Sequence, residues 1–242
     1  MLKTHIKKLL ESCGYEVRRF DPKVYRPGRD PFVDMKRRIG ETQIAPVIFD
    51  VGSNVGQSID IFKTHFTAPY IHSFEPGTKN FDILRTKYSE VKRLQLNNFG
   101  LGARCETREF IENTSSDMSS FLEPAQDCWG ELSARTSKEI STVDAYCAAN
   151  GISSIDILKT DTQGYDLEVL KGAAGMLGEH RVRLIFMEMI FSNMYEHLPR
   201  FDEIVKFVLD NGFVLISFYE FFFQKERASW TDALFLDPSH RI

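Results

Sequence analysis

The chain has 242 residues, 43% hydrophobic and 26% charged, with 30 Lys and Arg against 34 Asp and Glu and a formal net charge of -4. Those proportions exclude a disordered or fibrous chain, and the acidic balance argues against a surface built for nucleic acid. There is no run of 18 apolar residues to cross a membrane. The four cysteines (Cys13, Cys105, Cys128 and Cys147) are too dispersed for a disulfide scaffold or a zinc knuckle.

Leu2, Ile6, Leu9, Leu10 and Cys13 fall on one face of an N-terminal helix, with Lys3, Lys7 and Lys8 opposite. Such a helix can touch an anionic membrane, but docking on its own domain is the expected arrangement. Arg18 to Gly40, rich in Arg, Asp and Pro, reads as an ordered extension or a lid. The expected division is therefore residues 1–43 as helix and extension and 44–242 as one α/β domain. The N-terminus lacks the apolar core of a signal peptide, so the cytoplasm is the expected compartment.

Val47, Ile48 and Phe49 open the domain as a buried strand that ends at Asp50. Gly52 permits a sharp turn, Ser53 and Asn54 suit a helix N-cap, and Val55, Ile59, Phe62 and Phe66 line one helix face. Tyr70 to Phe74 makes a second strand, and Glu75 stands at its end, able to accept hydrogen bonds from both hydroxyls of a ribose. Strand, glycine turn, helix, strand and acidic residue is the order that holds an adenosine-containing cofactor. A nicotinamide dinucleotide needs three close glycines, yet only Gly52 and Gly56 are present, and Asp50 would face the pyrophosphate. The phosphate-free, cationic S-adenosylmethionine fits better.

Phe81, Leu84 and Tyr88 mark the next helix, Arg93 to Phe99 a third strand, and Cys105 to Ile111 an extra hairpin strand. Asn98 is a candidate adenine contact. So are Asp117 and Met118, in the polar loop Ser115 to Ser120, as acceptor and apolar cover. Ile155 to Lys159 is a fourth strand leading to Asp161 and Gly164, followed by a helix on Leu167, Leu170, Ala174 and Leu177. Leu184 to Met189 is a fifth strand, Phe201 to Leu209 a helix, and Phe213 to Tyr219 and Thr231 to Leu236 the last strands. The alternation implies a Rossmann-like, mostly parallel seven-stranded sheet with an antiparallel last strand and helices on both faces.

The block I-D-I-L-K-T-D-T-Q-G-Y-D-L-E-V-L-K-G, Ile155 to Gly172, together with V-I-F-D-V-G-S-N-V-G and F-E-P, resembles the FkbM family of S-adenosylmethionine-dependent methyltransferases. That family typically shows K-I-D-V-E-G before a helix with L-E-V-L-x-G. Here Thr162 and Gln163 replace the apolar residue and the glutamate, and Tyr165 replaces a small residue. The resemblance implies O-methylation of a hydroxyl on a sugar, a glycan or a glycosylated natural product. Two alternatives stay open: a silent methyltransferase fold serving as a binding subunit, and a nucleic-acid methyltransferase, although N-P-P-Y, D-P-P-Y and P-C motifs are missing.

Methyl transfer to a hydroxyl needs alignment and a proton acceptor. Asp161 and Glu188 end neighbouring strands, where two carboxylates can share a proton or hold a divalent cation such as Mg. Asp161 can also cap a helix, Glu188 can pair with Arg181 or Arg183, and Lys159 reads as a salt-bridge partner. His197, with Tyr195 nearby, is a further candidate base on a loop over the same edge. Arg29 and Arg135 could meet an acidic acceptor.

Overall fold

A computed structural model of the chain describes residues 2–14, 24–40 and 45–240, with side chains from residue 5 onward. The seven-stranded sheet is built from β1 (Val47–Val51), β2 (Tyr70–Phe74), β3 (Leu94–Asn97), β7 (Ile155–Thr160), β8 (Val182–Ile190), β9 (Val214–Gln224) and β10 (Arg227–Leu236). Their spatial order is β3-β2-β1-β7-β8-β10-β9. Pairing is parallel from β3 to β8, and β10 runs antiparallel to both neighbours.

Period-2 alternation explains why both faces are covered. In β8, Leu184 and Phe186 enter one core while Ile185, Met187 and Met189 enter the other. Leu234 and Leu236 of β10 join the first, and Ala233 and Phe235 the second. The helices that cover these faces include α3 (Gln57–His65), α4 (Thr78–Lys87), α5 (Val143–Asn150), α6 (Asp166–Lys171), α7 (Ala174–Gly178) and α8 (Phe201–Asp210). Ser53 and Asn54 do not cap α3: its N-cap is Gly56 at φ 91°, and Ser53 Oγ instead donates to Asp50 O at 2.8 Å.

A small second sheet, ordered β4-β6-β5, comprises β4 (Gly100–Leu101), β5 (Glu106–Asn113) and β6 (Leu132–Ser141). β5 is the expected hairpin strand. Its partner β6, L-S-A-R-T-S-K-E-I-S, has Ile140 as its one buried residue and so carries almost no apolar period to read.

At the N-terminus, the expected docking of the first helix is not seen, while residues 24–40 form an ordered extension. Helix α1 (Leu2–Ser12) shows every described side chain exposed, so Ile6, Leu9 and Leu10 are not docked on the domain. Helix α2 (Pro31–Ile39) is capped by the Asp30 carboxylate and buries Met35 and Ile39 against Ile48, Phe62 and Leu234. Buried Asp34 ties it down, accepting hydrogen bonds from the Tyr25 and Tyr219 hydroxyls and from Gly28 N. Residues 24–40 thus cover a sheet face and contribute nothing to the cleft described next; the rest of the expected lid, residues 18–23, lies outside the described residues.

Candidate functional site

Strand order reverses at β1: the chain runs outward through β2 and β3, then returns to place β7 on the other side. At such a reversal the loops leave in opposite directions and open a crevice at the carboxyl ends of the strands. A cleft opens there, lined by both turns and by apolar side chains. Gly52 and Asn54 from the β1 turn, Glu75 and Pro76 from the end of β2, and Asp161 to Gln163 after β7 form its floor and mouth.

Gly52 has φ 78°, and a Cβ there would run into the carbonyl of Asp161. The two turns therefore meet backbone to backbone, as Asp161 N donating to Val51 O at 3.0 Å also requires. Gly164 has φ 87° with Leu198 and Leu122 packed over it, so a glycine is needed at this turn as well.

Glu75 is 4% exposed, and its two carboxylate oxygens accept Asn54 N and Gly77 N, each at 2.8 Å. Burial lifts its pKa to about 7, the two N–H bonds only partly opposing the rise. Beneath the turn, Asp50 is fully buried: its Oδ1 lies 3.0 Å from Lys159 Nζ and its Oδ2 accepts from Ser58 Oγ at 2.7 Å. Lys159 also donates to Gly52 O at 2.9 Å and lies 3.6 Å from Asp161 Oδ2. Burial by itself would lower the Lys159 pKa, but the charges of Asp50 and Asp161 outweigh it and raise it.

The expected cofactor residues separate into two groups. Gly52, Asn54, Glu75, Asp117 and Asp161 line the cleft. Asp50, Ser53, Gly56, Asn98 and Met118 do not. Asp50 and Ser53 are buried structural groups, and Gly56 O accepts from the Tyr88 hydroxyl at 2.7 Å. Asn98 uses its amide on Glu75 O and Pro76 O, fixing that turn. Met118 points into a core with Tyr195, so the apolar wall is supplied by Leu101, Phe110 and Phe121 instead. Phe110 and Phe121 meet edge to face, 4.9 Å between centroids. Phe110 lies in β5 and Phe121 follows the polar loop Ser115 to Ser120.

Beyond the Asp161 turn, Gln163 Nε2 donates to Asp161 Oδ1 at 3.1 Å and to Glu188 Oε2 at 3.0 Å. Glu188 pairs with neither arginine that sequence offered: Arg181 meets Glu179, and Arg183 donates to Arg38 O. Burial, then the charges of Asp161, Asp166 and Asp232, raise the Glu188 pKa well above its ordinary value. Asp232 faces Glu188 across the β8–β10 pair and is raised to about 7 by burial and by Asp161. Asp232 is not among the residues expected from sequence, although a lone carboxylate inside T-D-A-L-F-L is a visible signal.

Between the two expected metal-ligating carboxylates stands the Gln163 amide, and no group of three His, Cys, Asp or Glu among the described residues is placed to hold a metal. His197 is not brought to the carboxylates. It is exposed at φ 58° and lines an adjoining hollow with Phe191 and Arg200. Arg135 is engaged by Glu109 and Glu123, each at 2.6 Å. No described helix is long and apolar enough to cross a membrane.

Residues 50–215, more than half of the chain, match the family model described as the methyltransferase FkbM domain. Two curated relatives are similar in sequence. One is the 2-O-methyltransferase NoeI of Sinorhizobium fredii, 25% identical over 62% of this chain and 66% of that one. The other is the hexuronic acid methyltransferase AglP of Haloferax volcanii, 27% identical over 57% of this chain and 54% of that one. The matches thus span about two thirds and about half of these relatives' lengths. Among solved structures, loose likenesses include the Methanococcus jannaschii fibrillarin pre-rRNA processing protein, with TM-score 0.48, 10% identity and coverage of 80% of this chain and 66% of that one. TrmK of M. capricolum in complex with S-adenosyl-homocysteine gives TM-score 0.47 and 8% identity, covering 86% and 68%.

Proposed function

Because the chain belongs to the FkbM methyltransferase domain family, we propose that it transfers a methyl group from S-adenosylmethionine to a hydroxyl of a sugar or glycan. The observation that carries this is the meeting of the Gly52 and Asp161 turns at the strand reversal, with Glu75 alongside in the same cleft. The activities of NoeI and AglP, a 2-O-methyltransferase and a hexuronic acid methyltransferase, favour a saccharide acceptor.

When bound, the donor supplies an electrophilic methyl on a cationic sulfur. Ionised Glu75 accepts hydrogen bonds from ribose hydroxyls, and Asp117 with Phe110 and Phe121 receives the adenine. The acidic surroundings suit the donor's positive charge and would repel a pyrophosphate. Asp161, whose side chain is 42% exposed, would take the proton of the attacking hydroxyl, while the bound donor would supply the methyl group. A cytoplasmic location belongs to the same proposal.

The test is transfer of labelled methyl from S-adenosylmethionine to a panel of neutral sugars, hexuronates, glycans and RNA. Labelling of a saccharide hydroxyl is expected. Donor binding without transfer to any acceptor would instead favour a silent binding subunit, and labelling of RNA alone would overturn the saccharide reading.

A further inference from the structure

Asp161 follows β7 and Glu188 lies near the end of β8, adjacent strands that run roughly 5 Å apart, so their carboxylates must be reconciled by a proton, a cation or a hydrogen-bond donor. The structure shows a donor with two N–H groups. Gln163 Nε2 reaches Asp161 Oδ1 at 3.1 Å and Glu188 Oε2 at 3.0 Å, one N–H for each carboxylate. Its other end is fixed too, because the buried Tyr195 hydroxyl donates to Gln163 Oε1 at 3.0 Å. The backbone of Gln163 sits at φ 54°, a left-handed conformation unusual for a side chain of this size. Ser120 Oγ holds it there by donating to Gln163 O at 2.8 Å. An amide gripped at both ends and on a strained backbone is a placed group.

We propose that Gln163 is a positioning residue that stands where a bridging divalent cation would otherwise sit, so that Asp161 and Glu188 act as a pair without metal. The amide supplies partial positive charge to both carboxylates while adding no net charge. A glutamate of the same length would bring a third carboxylate to that point and leave all three in need of a cation. For turnover the inference rests on the methyl-transfer reading; for cation binding it does not.

Mn²⁺ titration followed by electron paramagnetic resonance, on the full chain with S-adenosylhomocysteine, separates the two. The wild type is expected to bind no Mn²⁺ at millimolar concentration, and Gln163→Glu to bind one equivalent. With the acceptor found by labelling, wild-type turnover should be unchanged by chelator, whereas turnover of Gln163→Glu should require Mn²⁺. Gln163→Met, which cannot bridge, should bind no Mn²⁺ and lose at least about tenfold in kcat. Stoichiometric Mn²⁺ on the wild type, chelator-sensitive wild-type turnover, no Mn²⁺ on a folded Gln163→Glu, or wild-type kcat in Gln163→Met would each overturn the proposal. If no acceptor is methylated, the function reading fails while the Mn²⁺ titration still decides the role of Gln163.

Discussion

Lys159 Nζ lies 3.0 Å from Asp50 Oδ1 beneath the cleft, with side-chain exposures of 7% and 0%. The pair joins β7 to β1, the two strands that flank the strand reversal. Breaking a buried pair from one side strands the other charge, so Lys159→Met is expected to cost about 3–5 kcal/mol of stability. Urea denaturation checks this. A loss below about 1 kcal/mol, the range of exposed pairs, would show that solvent reaches the site.

Gly52→Ala is expected to abolish donor binding. The new methyl would strike the carbonyl of Asp161, and φ 78° is itself unfavourable for alanine by about 1 kcal/mol. Calorimetric titration with S-adenosylhomocysteine reads the outcome, and an affinity within twofold of wild type would refute the close approach.

Glu75 gives a pH dependence with two opposite signs. Its folded pKa of about 7 lies above the unfolded carboxyl value, so the folded state binds the extra proton. Its contribution to stability is therefore fully present below the unfolded pKa and is lost as pH rises through about 7; Asp232, at about 7, and Asp166, at about 6, act alike. The unliganded melting temperature should be higher near pH 5.5 than near pH 8, and Glu75→Gln should narrow the gap. Donor affinity runs the other way, because only ionised Glu75 accepts from both ribose hydroxyls. From about pH 6 to about pH 8 its ionised fraction rises from roughly one tenth to nine tenths, so S-adenosylhomocysteine should bind about tenfold tighter. An affinity flat across that range would remove Glu75 from ribose binding.

Asp161→Asn keeps size and most hydrogen bonds but cannot take a proton. Methyl transfer is expected to fall by at least about 100-fold, with donor affinity within a few-fold of wild type. Turnover and titration on the same preparation check the two halves. Near-normal turnover in this variant would move the base elsewhere along the edge, Glu188 being next.

The parts of the site that were legible in the sequence are those with a local physical code. Gly52, Glu75 and Asp161 each follow a strand-forming segment, with Gly164 three residues after Asp161, and a strand end plus a glycine turn is enough to place them at one edge of a parallel sheet. Where the code is weak, structure and expectation part. Met118 was expected to cover adenine because it is apolar and in a polar loop, but a three-residue helical turn, Ser116–Met118, swings it into the core and leaves Asp117 and Ser119 at the cleft. His197 was set over the edge by its place after β8, and a left-handed residue turns it out to solvent.

By itself the sequence determined the strand–turn–helix order, the family resemblance and the acidic residues that follow β2 and β7, because hydrophobic period and glycine act over a few residues; the strand order, with its reversal at β1, came from the structure. Only the tertiary structure decided which side chains meet. Gln163 reaches Glu188 across 25 positions, Asp232 faces Glu188 through an antiparallel register, and Tyr195 grips the amide from a loop beyond β8. Such meetings depend on strand register and loop path, which no local pattern encodes, and they make of separate carboxylates a single arrangement around one amide.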